Sequence, residues 1–400
     1  MATILFAWEL GSGYGHLARL LPVARELATR GHQPLFAVRD LMGAEALLEP
    51  HGIRAFQAPM WLGQVTNLPE TISYPELLMR FGFLNARALT GICRAWRNLV
   101  GVLQPSLLVL DHAPTALLAT RELGIPRVNF GDGFCIPPAR RPLPPFRWWQ
   151  RENLLRLNDS EQHALASANS VLLALDAVPM VCLADIMACD DSLFCTFEEL
   201  DHYPDRAAPN YAGPIYSLGQ GVDVSWPQAD GPKIFAYLNT AYTGWETIAA
   251  ALHGLKASVL VHVLGAARKT LQRYSSPSMA FSLQPLNMDL LSASCDLALC
   301  HGGAGTTAAM LLAGKPLMLF PMHMHMEQTM TARRLAALGA AASVMPDALG
   351  QLPRLLKKTL ADTALGDAAR KFARAHAGYD QQATVQLAAD RCEALLNVAA

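Results

Sequence analysis

Leu297-Ala298-Leu299-Cys300-His301-Gly302-Gly303-Ala304-Gly305-Thr306-Thr307 passes from an apolar segment of strand length, through a glycine-rich turn, into an Ala/Leu stretch of helical period. A buried strand that feeds a helix through such a turn is one step of the β-α-β pattern of a parallel sheet. Its chemistry suits an anion. Glycines let the backbone come close, the first-turn N–H groups have no intrahelical partner, and the helix dipole adds about half a positive charge at that end. A diphosphate is the expected guest, with His301 as a further donor and the Thr306 and Thr307 hydroxyls able to cap the helix or reach phosphate oxygens. The Lys of a P-loop is missing, so ATP hydrolysis is not indicated.

The same alternation extends in both directions. After the turn come a helix over 306–313, a strand over 316–320 and a helix over 328–338. Before it come strands at 233–238, 258–264 and 280–283, with helices at 245–254 and 288–292. The first half repeats the pattern: strand 3–8, helix 17–30, strand 34–38, helix 42–48, strand 53–58, strand 107–110 ending at Asp111, helix 113–123 and strand 127–130. Gly, Pro and Arg enrich 131–145, and an amphipathic helix carrying Trp148 and Trp149 is expected after it. Pro, Gly, Asp and Asn cluster at 203–213 and 226–232, which places the domain boundary near residue 225. Three parts are expected: 1–225, 226–380, and 381–400 as a C-terminal helix packing back on the first domain. The segment 352–396 reads as helical throughout.

With 400 residues, 52% of them hydrophobic and 16% charged, the chain has material for two sizeable cores. Its 32 Lys+Arg against 33 Asp+Glu give a net charge of −1, which supplies no general attraction to nucleic acid. No apolar run reaches the roughly 18 residues of a membrane span, and no basic leader precedes the first strand, so a cytoplasmic protein is expected. The eight cysteines form no Cys-x-x-Cys pair and are expected to be buried thiols. The run from Met322 to Met326 alternates thioethers with His323 and His325, a set that suits a soft metal, but no carboxylate or thiolate cage surrounds it, and no metal is assigned.

His301–Thr307, with Gly314-Lys315-Pro316-Leu317, Pro321 and Glu327-Gln328 after it, resembles the nucleotide-sugar signature of family 1 glycosyltransferases, the group of macrolide, sterol and glucuronosyl transferases and their bacterial relatives. The resemblance implies a GT-B fold, an α/β architecture of two facing Rossmann-like domains with a donor/acceptor cleft between them. It implies that His301, Gly303, Gly305, Thr306 and Thr307 hold the donor diphosphate, and that Glu327 and Gln328 contact the sugar hydroxyls. Gln284-Pro285-Leu286 resembles the segment that reads the pyrimidine base, which adds Gln284 and Leu286. Leu283 stands where plant members stack an aromatic ring, and Ala309 stands where they bind ribose through Glu, so UDP and dTDP both remain open. The Pro321-to-Glu327 spacing is longer than the family's.

Gly11-Ser12-Gly13-Tyr14-Gly15-His16 follows the first strand and opens the first helix. It superficially suggests a dinucleotide fingerprint, but His16 occupies the third glycine position and only Asp40 offers a ribose-binding acid, so NAD and FAD are not indicated. The arrangement resembles the family's N-terminal loop, whose His deprotonates the acceptor. A helix N-terminus disfavours a cation, which leaves an imidazole suited to accept a proton. Gly13 of this loop is grouped with the donor-binding residues. Asp111 lies at the sheet edge where open α/β folds bind ligands, and the resemblance pairs such an Asp with the catalytic His. A helix cap is the alternative for Asp111. His112 is a rival to His16, though strand alternation is expected to turn it away from Asp111's side.

Loops 59–74 and 131–151 are expected to bind the acceptor, with Trp61, Tyr74, Phe134 and Trp148 lining an apolar pocket. The arginines around Trp148 and Trp149 also suit peripheral contact with an anionic membrane. The expected activity is inverting transfer of a sugar from a UDP- or dTDP-sugar to a hydroxyl of a small-molecule or lipid acceptor, with no cofactor beyond the donor and no metal. A sugar-nucleotide epimerase and a non-catalytic sugar-nucleotide-binding protein are the alternatives.

Overall fold

The computed structural model describes residues 1–11, 13–207, 209–216, 221–323 and 325–399. Ser12 and Met324, quoted above within motifs, lie outside the described residues. The chain forms two units, one made of Met1–Ile215 with the segment from Asp380 onward, the other of Tyr216–Tyr379. The change of unit thus falls before the residue 225 expected from composition, because the Pro/Gly cluster at 226–232 leads into the second sheet.

In the first unit the strands are β1 (Thr3–Trp8), β2 (Gln33–Val38), β3 (Arg54–Gln57), β4 (Leu107–Asp111), β5 (Arg127–Gly131) and β6 (Asp191–Phe194). The helices are α1 (Gly15–Thr29), α2 (Leu41–Leu48), α3 (Tyr74–Leu78), α4 (Ala86–Leu103), α5 (Pro114–Ala119) and α6 (Leu154–Leu173). All strands are parallel, in the order β3-β2-β1-β4-β5-β6. β1 and β4 are buried almost end to end, as strands covered by helices on both faces must be, and Phe6 stacks on Phe36 at 5.0 Å. α1 buries Leu17, Leu20, Leu21, Ala24 and Leu27. Gly31, at φ +87°, then turns the chain into β2.

Three local expectations change. α5 stops at Ala119 rather than Leu123, where Glu122 and Gly124 take left-handed conformations. The stretch with Trp148 and Trp149 forms no amphipathic helix. Prolines 142, 144 and 145 remove backbone donors there, and α6 begins only at Leu154, where the Asn153 side chain accepts from the N–H groups of Leu155 and Arg156. The segment 352–396 is divided into helices rather than continuous, as the second unit and the chain's return show.

The second unit contains β7 (Lys233–Asn239), β8 (Ser258–Leu264), β9 (Met279–Ser282), β10 (Leu297–Cys300), β11 (Leu317–Leu319) and β12 (Ala341–Ser343). Its helices are α7 (Trp245–His253), α8 (Arg268–Gln272), α9 (Met288–Ser294), α10 (Ala304–Leu312), α11 (Met326–Ala337), α12 (Leu352–Ala361) and α13 (Thr363–Ala375). The strand order is β12-β11-β10-β7-β8-β9, again all parallel. Numbered from its own first strand, this sheet repeats the 3-2-1-4-5-6 order of the first, so each sheet has its topological switch point beside its first strand. Ile234, Ala236, Val261, Leu299 and Phe320 form the middle of its core.

Asp362 separates α12 from α13 by capping the latter, its side chain accepting from the Ala364 N–H at 3.1 Å. α14 (Gln381–Ala399) then belongs to the first unit. Val385, Ala388, Ala389 and Cys392 are buried along one face, Arg30 reaches Asp390 and Glu393, Arg391 pairs with Asp191, and Thr384 Oγ1 donates to the Ala212 carbonyl.

Candidate active site

Two sets of side chains collect at the carboxyl ends of the strands, one at each switch point. In the first unit α1 begins just after β1, which puts His16 in its first turn, and β4, the neighbour of β1, ends on Asp111. His16 Nδ1 stands 3.1 Å from Asp111 Oδ1, and the imidazole stacks on Trp8 with ring centres 5.1 Å apart. Arg19, one turn along α1, donates from Nε to Asp111 Oδ2 and from Nη2 to Asp111 Oδ1, both at 2.7 Å, and from Nη1 to Asp132 Oδ2 at 3.0 Å. Burial alone would raise the Asp111 carboxyl, but Arg19 and then His16 hold it below the usual carboxylate range. Asp132 is held low in the same way, by Arg19 first and then His202.

Arg19 Nη2 also lies 2.9 Å from His16 Nδ1, and 3.6 Å from the Cys135 sulfur. In the tautomer whose Nδ1–H donates to Asp111, Nε2 is the basic nitrogen.

His112 does not turn away. Its backbone has φ +46°, which breaks the strand alternation, and its ring centre lies 6.0 Å from that of His16. Burial, with the nearby His16 second, pushes its imidazole down to about 3. It is thus neutral, and its Nε2 is buried without a partner. Tyr74 and Phe134 pack beside it at 6.1 and 5.9 Å. Phe134 also meets the ring of His202, whose carbonyl accepts from Trp148 Nε1 at 2.8 Å. Tyr74 and Phe134 therefore pack on His112, and Trp148 is tied to the same region through the His202 backbone. Trp61 instead packs against Gly63 and Gly82.

In the second unit Gly303 caps α10, and the Thr307 hydroxyl folds back onto the carbonyls of Gly303 and Ala304. Thr306 is half-buried at the same turn. His301 has both nitrogens engaged, Nδ1–H donating to the Phe320 carbonyl at 2.8 Å and Nε2 accepting the Asn239 N–H at 3.0 Å. Burial pushes its imidazole below the ordinary value, although the Phe320 carbonyl opposes this. The ring thus ties together the ends of β7, β10 and β11. The donor expected of it toward a ligand already has a backbone partner.

A Cβ on Gly303 would meet nothing within 4 Å, so the face of the turn is open. Gln328 lies close by: a Cβ on Gly302 would stand 3.3 Å from its carbonyl, and its Oε1 accepts from the Met322 N–H. Glu327 sits beside it in the first turn of α11. Leu283 and Gln284 are exposed after β9, while Leu286 is buried and bridged to Val222. Gly13 belongs to the first unit and is exposed at φ +77°. Among the described residues, no group of three or more His, Cys, Asp or Glu is placed to hold a metal ion.

The profile of the glycosyltransferase family 28 C-terminal domain matches residues 249–391. A PGL/p-HBAD biosynthesis glycosyltransferase of Mycobacterium tuberculosis (strain ATCC 25177 / H37Ra) is 24% identical over 331 residues, 76% of each chain. The solved calicheamicin glycosyltransferase CalG4 superposes with a TM-score of 0.71 at 20% identity, over 99% of this chain and 98% of that one. The chain is a GT-B glycosyltransferase. The spinosyn rhamnosyltransferase SpnG complexed with thymidine diphosphate has the same fold, with a TM-score of 0.67 and 17% identity over 97% and 99% of the two chains.

Four residues of this glycosyltransferase escaped the sequence patterns: Arg19, Asp132, His202 and Asn239. Arg19 left one trace, a cation three residues after His16 on the buried face of α1. Asn239 acts through its backbone N–H, which side-chain patterns do not register.

Proposed function

We propose that the protein transfers a sugar, with inversion, from a UDP- or dTDP-sugar to a hydroxyl of a small-molecule or lipid acceptor. The observation that carries this reading is the His16–Asp111 pair at the switch point of the first sheet. His16 Nε2 takes the proton of the acceptor hydroxyl as its oxygen bonds to the anomeric carbon. The bond from that carbon to the phosphate oxygen breaks, and its electron pair leaves with the nucleoside diphosphate. Asp111 stabilises the imidazolium. The first unit supplies the acceptor site near Tyr74, Phe134 and Trp148, and the second supplies the donor site.

The turn from Gly302 to Thr306 meets the diphosphate with backbone N–H groups and the α10 dipole. Its leaving-group charge is thereby balanced without a metal. His301 contributes by fixing the turn, Glu327 and Gln328 by meeting sugar hydroxyls, and the 283–286 segment by meeting the base. Thymidine diphosphate bound to the similarly folded SpnG supports a nucleoside diphosphate donor.

Melting the protein with UDP, dTDP, GDP or ADP tests the donor site, since a ligand at 100 times its Kd stabilises by about 2.7 kcal/mol. UDP or dTDP should raise Tm. Gly303→Val, whose side chain enters the open face of the turn, should abolish the shift while lowering the ligand-free Tm only slightly, through the poorer helix cap. No shift with any nucleotide overturns the donor site. His16→Ala should lower turnover by roughly 10²–10⁴-fold with donor affinity retained, and unchanged turnover removes His16 as the base.

A further inference from the structure

Arg19 is enclosed by the site rather than facing solvent: it is 7% exposed, Asp111 0% and Asp132 3%. One guanidinium between two carboxylates leaves one negative charge uncompensated. Of the groups facing His16, Arg19 comes from α1, Asp111 and His112 from the end of β4, and Asp132 and Cys135 from the segment after β5. Glu9, Tyr74 and His202 stand behind these. Burial raises Glu9, to about 7, and Tyr74, and lowers His202. His112 is neutral. Arg19, Asp111 and Asp132 form the chain of ion pairs that reaches His16, whereas the Glu9 carboxyl is taken up by Thr115 and the Ala116 N–H.

We propose that Arg19 is a positioning residue for the base: by bridging Asp111 and Asp132 it fixes the carboxylate that orients His16 and leaves the single negative charge that the imidazolium balances. The inference rests on the reading of His16 as the base. It also gives Asp132 a function, since this carboxylate touches His16 only through Arg19. Asp132 is itself held by the N–H groups of Phe134 and Cys135, at 3.0 and 3.2 Å, so the whole chain of charges is anchored to the backbone.

The charge count makes the proposal testable without an acceptor. Asp111, Asp132 and Arg19 sum to −1, Arg19→Met makes −2, Asp132→Asn makes 0, and the double variant returns to −1. Added negative charge favours imidazolium, so the ring's titration midpoint should rise by about one pH unit or more in Arg19→Met and fall similarly in Asp132→Asn. The double variant should return close to the parent. The readout is the ¹⁵N-histidine spectrum of the full chain, with the His16 signal identified by its loss in His16→Gln.

Lowered Tm with unmoved midpoints in Arg19→Met and Asp132→Asn would make Arg19 a structural clamp and overturn the proposal. Should Arg19→Met not fold, Asp132→Asn decides alone: a fall in the midpoint supports the proposal and an unmoved one overturns it. Full turnover in His16→Ala would instead defeat the base reading itself, whatever the titration shows.

Discussion

The base nitrogen of His16 is fitted against a side chain that is missing. A Cβ on Gly11 would stand 2.3 Å from His16 Nε2, and Gly11 adopts φ +92°, so Gly11→Ala both strains the turn and displaces the ring. Turnover should fall by about 10²-fold, as a misplacement of about 1 Å can produce, and stability by about 1–3 kcal/mol. Initial rates and urea melts of the variant measure both, and unaltered rates would show that Nε2 does not need this packing. At this scale His16 and Asp111 were legible because helix starts and strand ends are positions a sequence marks. Arg19 and Asp132 were not, since an ion pair formed 113 residues apart leaves no local pattern. The alternation rule fails at His112 because it presumes extended backbone.

Among the elements, α14 depends on burial more than on its ion pairs. Ala389 is fully buried, whereas Arg391 and its partner Asp191 both retain some exposure. Ala389→Asp should therefore cost about 3 kcal/mol or more through an unpaired buried carboxylate, and Arg391→Ala about 1 kcal/mol or less. Urea denaturation separates the two, and equal losses would reverse the ranking. Strands such as β8 and β10 were read to the residue because a strand buried on both faces is a continuous apolar run. β12 was missed: three small residues, Ala341–Ser343, carry too little apolar side chain to mark a strand. The Trp148 segment has the composition of an amphipathic helix, but the prolines just before it deny it the backbone donors of one.

At the scale of the whole molecule, two buried groups give opposite pH dependences. Burial raises Glu9 to about 7, despite the N–H groups of Thr115 and Ala116 and the Thr115 hydroxyl that it accepts from. Between about 7 and 4.5 the folded protein holds a proton there that the unfolded chain does not, so this group adds stability as pH falls. His112 does the reverse. From about 6.5 down to about 3 the unfolded chain holds a proton that the folded state refuses, so stability is lost as pH falls. The two contributions oppose each other between about pH 6.5 and 4.5. Glu9→Gln should uncover the histidine loss and make Tm fall more steeply than in the parent across that window. Parallel Tm profiles would mean that Glu9 is ionised throughout it.

The repeated sheet pattern marks the two halves, and the return of the chain from Asp380 onward, in line with the expectation for 381–400, makes the first of them discontinuous in sequence. That discontinuity sets an order of assembly during synthesis. The second unit is one continuous stretch and can close as soon as Tyr379 has left the ribosome. The first unit, although begun earlier, keeps the apolar surface that Val385, Ala389 and Cys392 will cover open until the last helix arrives. The half made first is the half finished last.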